Sequence, residues 1–142
     1  MYKGSYLLIM NLPEEVNLKY GKRSKSFEAG YYIYIGSAMN SLTGRINHHL
    51  SSEKKGRWHI DTFLKFSTIE YIVMIPCAER LEEKLSVSLE EEKDLEVVEG
   101  FGASDIKSKG NLFFIKNERF FSKIFKVLKE VREDDSIHQR LG

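Results

Sequence analysis

Residues 5 to 12 read SYLLIMNL, a strand's length of chain with apolar side chains at both odd and even positions. Successive side chains of a strand point to opposite faces, so such a run is buried on both. It belongs in the middle of a sheet, with cover on each side. A second run, YYIYI at 31–35, is aromatic and β-branched and suits a pleated, half-buried strand. TIEYIVMIP (68–76), closed by Pro76, and NLFFIK (111–116) read as further strands, and LEVV (95–98) as a short one. VNLKYGKRSKSFEAG (16–30) reads as a strand or an exposed hairpin with a basic tip.

Helical patterns alternate with these runs. Ser41 is a natural N-cap for a helix from Leu42 to Leu50. WHIDTFLKF (58–66) predicts a short helix or turn, with Phe63, Leu64 and Phe66 inward and Trp58 as an anchor. A second helix is predicted from about Ala78 to Leu89 or Lys93. A last amphipathic one is predicted over about 118–131, burying Phe121, Ile124, Phe125, Leu128 and Val131. The expected class is α+β, a small central mixed or antiparallel β-sheet flanked by α-helices. A single domain spans 1–131, and 132–142 is a charged tail.

A chain of 142 residues can bury one real core, and its 42% hydrophobic and 30% charged content is ordinary. A net charge of +1 gives no global sign of nucleic-acid binding. The charge is uneven, however. Lys19, Lys22, Arg23 and Lys25 precede the second strand, and Lys54, Lys55 and Arg57 follow the first helix. Residues 79–99 hold nine acids against Arg80, Lys84 and Lys93. One surface could attract phosphate while another repels it, or these are two solvated loops and an exposed acidic helix. The single cysteine, Cys77, excludes an internal disulfide and a thiolate zinc site, leaving a structural thiol. With no apolar run of about 18 residues and no charged-then-apolar start, a soluble cytoplasmic protein with no membrane partner is expected.

Two helices carry polar residues where apolar ones are expected. In AGYYIYIGSAMNSLTGRINHHL (29–50), Gly36 should end the strand and Ser37 to Asn40 turn the chain. Leu42, Ile46 and Leu50 share one helical face, with Arg45 and His49 just beside Leu42 and His48 pointing away. In the next helix, at about 100° per residue, Glu82 falls within the stripe of Ala78, Leu81, Leu85 and Leu89. A lone buried carboxylate is costly unless a cation accompanies it. Glu82 either snorkels, pairs with Arg45 in a buried salt bridge, or faces a cleft as a Mg²⁺ ligand.

These are parts that phosphodiester hydrolysis requires: a base for water, a cation for the developing charge and a stabilised leaving oxygen. Arg45 offers a planar, permanently charged fork to a phosphate oxygen. His49 could position water or phosphate, and Tyr34 or Tyr6 could handle the proton once a nearby cation lowers its pKa. In GRWHID (56–61), His59 and Asp61 form a hydrogen-bonded pair, or a satisfied histidine beside a capping Asp. GFGASD (100–105) supplies flexible backbone with Ser104 and Asp105, for an anion, a metal or a simple turn.

The segments YIYIGSAMNSLTGRINHHL, GRWHIDTFL, ERLEEKLS and GFGASD, in that order, resemble the GIY-YIG nuclease superfamily. The resemblance is nearest to the branch catalogued as domain of unknown function 123, sometimes fused to a DNA-repair glycosylase. It implies a three-stranded sheet flanked by helices, and DNA phosphodiester cleavage with Mg²⁺ or Mn²⁺. Gly4 to Tyr6 stand for the first half-motif and Tyr34 to Gly36 for the second. Arg45 matches the arginine that contacts the scissile phosphate, His49 the family's histidine or tyrosine position, and Glu82 the metal-binding glutamate. Either tyrosine could assist the water. Asn111 is a candidate for the family's late asparagine. Gly36, Ser37, Lys22, Arg23, Lys54, Lys55, Arg57, His59, Ser104, Asp105 and Asn111 are the candidate substrate contacts.

The chain departs from the pattern in its long basic insertion between the half-motifs. It also has Ile106, Ser108 and Asn111 where the branch often has cysteines and a histidine. The expectation is a metal-dependent DNA endonuclease, with DNA and a DNA-repair protein as partners. The alternative is a nuclease-like fold that binds nucleic acid without cutting it. A third reading is a structural domain in which Glu82 and Arg45 form a buried ion pair.

Overall fold

The computed structural model describes residues 2–51, 59–102 and 109–117, together with residues 119, 122, 126, 127, 130, 131 and 133. In chain order the elements are β1 (Gly4–Leu12), β2 (Val16–Tyr20), β3 (Arg23–Phe27), β4 (Gly30–Ala38), α1 (Leu42–Leu50) and α2 (His59–Leu64). They continue with β5 (Thr68–Pro76), α3 (Glu82–Glu90), β6 (Leu95–Val97) and β7 (Leu112–Ile115). The fold is α+β. Five strands form one antiparallel sheet in the order β5-β1-β4-β7-β6, and β2 and β3 pair separately as a hairpin. The resemblance implies a three-stranded sheet, whereas the sheet has five strands.

The doubly apolar β1 lies inside the sheet, between β5 and β4. Its even residues Tyr6, Leu8 and Met10 join Tyr32 and Leu112 in one core, beneath Leu42 and Ile46 of α1 and Ile60 and Phe63 of α2. Its odd residues Leu7 and Ile9 join Ile33, Ile35 and Phe113 in a second core under Leu85 and Leu89 of α3. Strand alternation thus divides the protein into three layers. The hairpin covers the first core with Leu18, Tyr20 and Phe27, and its two-residue turn has Gly21 at φ +62°. Positive φ at the first residue of such a turn is what glycine supplies without strain.

Several expected boundaries move. The strand does not stop at Gly36 but runs to Ala38, because Gly36 sits in register opposite Tyr6. A Cβ there would lie 2.3 Å from the Tyr6 ring. On α1 it is His49, 2% exposed, that completes the buried face, while Leu50 is 57% exposed. From Leu42, His49 lies about 20° round the helix and Leu50 about 80°, so the sheet takes the histidine. The second helix begins at Glu82 instead of Ala78, since the preceding segment is tied to β1: Cys77 N–H bonds Lys3 O, 3.0 Å. Phe63 and Leu64 point inward as expected, but α2 ends there and Phe66 is exposed. In the final helical region Val127 and Val131 join the second core. Trp58, Phe121, Ile124, Phe125 and Leu128 lie outside the described residues. Cys77 is a half-buried free thiol beside the second core. No described helix is long and apolar enough to cross a membrane.

Candidate functional site

The antiparallel registers Tyr6↔Gly36 and Tyr34↔Leu112 bring three chain segments to one end of the sheet: the start of β1, the last turn of β4's pleat and the residue before β7. Tyr6 and Tyr34 stand on the α1 side, 6.4 Å apart between ring centroids. His49 packs against both, at 5.3 Å from Tyr6 and 6.2 Å from Tyr34. A 2.6 Å hydrogen bond joins Tyr6 Oη to His49 Nε2. The bare Gly36 permits this, because any side chain would displace the Tyr6 ring. Gly36 is therefore a spacer in the site and not a turn.

Arg45 leans from α1 over the same sheet end and donates Nη1 to Ser37 O, 3.2 Å. Its charge also opposes the effect of burial on the Tyr6 hydroxyl. Burial nevertheless drives the phenol pKa of Tyr6 well up. Tyr34 is raised likewise, first by burial and then by Tyr6 and Glu82. Both are neutral phenols at ordinary pH, and neither holds a phenolate unaided.

Glu82 approaches from the opposite layer as the first residue of α3. Its Oε2 accepts from Ser37 Oγ, 3.2 Å, and its Oε1 from Asn111 Nδ2, 2.6 Å. Ser5 Oγ accepts the Leu81 N–H, 3.2 Å, tying the start of α3 to β1 and fixing where Glu82 stands. Desolvation raises the carboxyl pKa of Glu82, against the pull of Ser37, Arg80, Asn111 and Arg45. The positive end of the α3 dipole favours the ionised form as well. Of the three readings open for Glu82, snorkelling into solvent does not hold, because both carboxylate oxygens are bonded within the protein. It is a half-buried carboxylate held by two hydrogen-bond donors beside Arg45.

Asn111, buried at the start of β7, ties this side together. Its Nδ2 also donates to Gly102 O, 3.1 Å, and its Oδ1 accepts from Ser86 Oγ, 2.9 Å. His59 is not paired with Asp61. Its Nδ1 accepts the Gly102 N–H, 3.1 Å, and its ring packs on Tyr20 and Phe101. Burial lowers its pKa, and the bond from Gly102 requires an unprotonated Nδ1. It is the satisfied histidine, pinning the loop that Asn111 holds from the other side. Asp61 is fully buried on α2 and bonds His48 Nε2 instead, 3.1 Å. His48 therefore turns back toward α2. The Asp61 carboxylate raises both Tyr6 and Tyr34, which puts it within electrostatic reach of the site.

Tyr6, Tyr34, Gly36, Ser37, Arg45, His49, Glu82 and Asn111 thus share one end of the sheet. Lys22 is exposed on the β2–β3 turn and Arg23 at the start of β3. Arg23 and Lys25 line a groove with Glu96 and Glu99, and the Arg23 guanidinium lies so close over Gly100 that a Cβ would be 2.6 Å from Nε. Lys54, Lys55, Arg57, Ser104 and Asp105 lie outside the described residues. Ser5, Ser86 and the His48–Asp61 pair are the members that the sequence did not reveal. Ser86 stands four residues beyond Glu82 on the same face of α3, but that spacing does not pair it with Asn111.

A metal at Glu82 can be tested against the donor set. Among the described residues no group of three His, Cys, Asp or Glu side chains is gathered for a metal. An all-protein cage does not fit. Mg²⁺, which keeps several waters and takes one or two carboxylates plus substrate phosphate, does fit a single oriented carboxylate.

The family model described as "Domain of unknown function DUF123" matches residues 5–133, and the chain belongs to that family. No curated protein and no solved structure matches it.

Proposed function

We propose that the protein is a metal-dependent nuclease of the GIY-YIG type that hydrolyses DNA phosphodiester bonds in the service of DNA repair. The observation behind this reading is the meeting of Arg45, the Tyr6–His49 hydrogen bond and the Glu82 carboxylate at one end of the sheet. A structural ion pair would need only Arg45 and Glu82. It gives no reason for a buried tyrosine–histidine bond beside them.

In this reading Arg45 binds a non-bridging oxygen of the scissile phosphate and neutralises charge as it develops. Burial forbids a free phenolate at Tyr6, so its proton must leave as another arrives. Tyr6 Oη is fully buried, so the step requires DNA binding to admit the attacking water to it. Tyr6 Oη then accepts the water's proton while passing its own to His49 Nε2, which needs that nitrogen unprotonated. The water oxygen bonds to phosphorus, the bond to the leaving oxygen breaks, that oxygen takes a proton from solvent water, and His49 returns its proton to solvent. Mg²⁺ or Mn²⁺ bound by Glu82, waters and the phosphate would supply Lewis-acid stabilisation of the phosphoryl oxygens. Ser37 and Asn111 orient the carboxylate for it. The hairpin turn with Lys22 offers a cation to the DNA backbone. A repair enzyme is the expected partner.

The test is cleavage of labelled single strands, nicks, flaps and junctions, with Mg²⁺, Mn²⁺ or EDTA. Metal-dependent products are expected, with Glu82→Gln abolishing them and Arg45→Ala lowering the rate by about 100- to 1,000-fold. Full activity in either variant removes the mechanism. Salt-sensitive binding without products would move the assignment to a non-catalytic nucleic-acid module.

A further inference from the structure

Glu82 and Ser86 are four residues apart on α3 and so face the same way. The side-chain amide of Asn111 is inserted between them. Its Nδ2 donates to Glu82 Oε1, 2.6 Å, and to Gly102 O, 3.1 Å, while its Oδ1 accepts from Ser86 Oγ, 2.9 Å. Ser86 and Asn111 are both buried. We infer that Ser86 is a positioning residue for the nuclease site, clamping the Asn111 amide so that it presents a donor to Glu82. The inference rests on the nuclease reading for its functional meaning, but the clamp itself stands on the geometry.

An asparagine amide has two donors and one oxygen acceptor, and here all three are engaged. The two acceptors, a carboxylate and a backbone carbonyl, fix which end is nitrogen. The Ser86 hydroxyl then holds the oxygen end. Donation to Oδ1 also polarises the amide and strengthens the bonds that Nδ2 gives. The consequence reaches the carboxylate, because Asn111 Nδ2 is one of the two donors that hold its oxygens in place. Without the hydroxyl, Oδ1 is left buried with one donor fewer, and the amide is free to turn away from Glu82.

Two other features tie into the same clamp. The Gly102 carbonyl that shares Nδ2 belongs to the peptide-bonded glycine whose N–H is held by His59. Glu82 Oε2 is held separately by Ser37. Loss of Ser86 therefore loosens one carboxylate oxygen and leaves the other in place. The expected result is a weakened site and not an abolished one. Outer-shell partners of metal ligands characteristically contribute about 10- to 100-fold to metal affinity or activity.

The experiment compares Ser86→Ala, Ser86→Thr and wild type in three measurements. NMR of the Asn111 side-chain amide, without metal or substrate, follows the exchange protection of its two N–H groups. Cleavage kinetics separate kcat from KM. Thermal unfolding confirms that each variant is folded. Ser86→Ala should lower the protection of the Asn111 amide and lower kcat by about tenfold with KM unchanged. Ser86→Thr, which keeps the hydroxyl, should restore both. Unchanged protection of the Asn111 amide in folded Ser86→Ala overturns the clamp, whatever the activity. A loss in Ala that Thr does not restore, with Thr folded, also overturns it. If wild type cuts nothing, the nuclease reading falls, and the Asn111 amide still decides the clamp on its own.

Discussion

The two faces of the central sheet are built from different chemistry. The face under α3 is mainly aliphatic, with Leu7, Ile9, Ile33 and Ile35 joined by Leu85 and Leu89. The face under α1 and α2 is aromatic and hydrogen-bonded. There Tyr6 bonds His49, Tyr32 donates to Glu28 O at 2.7 Å, and Tyr20 donates to Glu99 O at 3.1 Å. Glu82 belongs to the aliphatic layer's helix but sits at its very start, where it can reach round the sheet's end to Ser37 and Asn111. One face supplies stability, and the other places polar atoms at fixed positions. The site forms where a helix start from the first meets the aromatic end of the second.

That division predicts opposite responses to substitution. Leu89→Ala opens a cavity in the aliphatic core and should cost about 2–5 kcal/mol of stability, measured by denaturant unfolding. The kinetic constants of the folded fraction should not change. Tyr6→Phe removes one hydroxyl and leaves His49 Nε2 without that partner, at about 1–3 kcal/mol. Its effect on cleavage should be far the larger of the two. Equal kinetic losses in both variants would mean that the two faces do not divide labour in this way.

A smaller effect sharpens the same contrast at Glu82. Its carboxyl is raised by desolvation above its ordinary value, so between those two points the native state binds more protons than the unfolded state. Stability then falls as pH rises through that interval, and the ionised carboxylate at neutral pH is a net cost to the fold. Glu82→Gln keeps hydrogen-bonding oxygen and shape. It should raise the unfolding midpoint at neutral pH while eliminating cleavage. A lower midpoint would indicate a stabilising ion pair with Arg45, the purely structural reading.

What was legible in the sequence was what local pattern controls. The double-sided burial of β1, the Ser41 cap of α1 and the position of Glu82 within an apolar stripe all follow from spacing alone. Ser41 Oγ indeed accepts the Gly44 N–H at 3.0 Å. What was not legible depends on partners distant in the chain. Gly36 reads as a strand end until its register opposite Tyr6 is known. His49 instead of Leu50 faces inward because of a difference in angle that only the sheet resolves. His59 and Asp61 look like a pair two residues apart, but α2 sends them to opposite sides, one to Gly102 and the other to His48. Ser86 meets Asn111 across 25 positions of sequence, and no periodicity announces such a contact.

The smallest predicted effect lies where the hairpin meets the aromatic face. His59 is neutral in the fold because burial lowers its pKa and because Nδ1 accepts from Gly102. Below its ordinary range near 6.5 the unfolded chain takes up a proton that the folded imidazole resists. The unfolded state therefore binds more protons, and stability falls as pH drops through that window toward the lowered value. His59→Asn keeps an acceptor near the Gly102 N–H but cannot titrate. Thermal unfolding between pH 7 and 5 should show a shallower acid decline for the variant than for wild type, with the curves converging at neutral pH. Identical slopes would mean that protonation of His59 leaves the Gly102 peptide held, and that Asn111 alone fixes the loop beside Glu82.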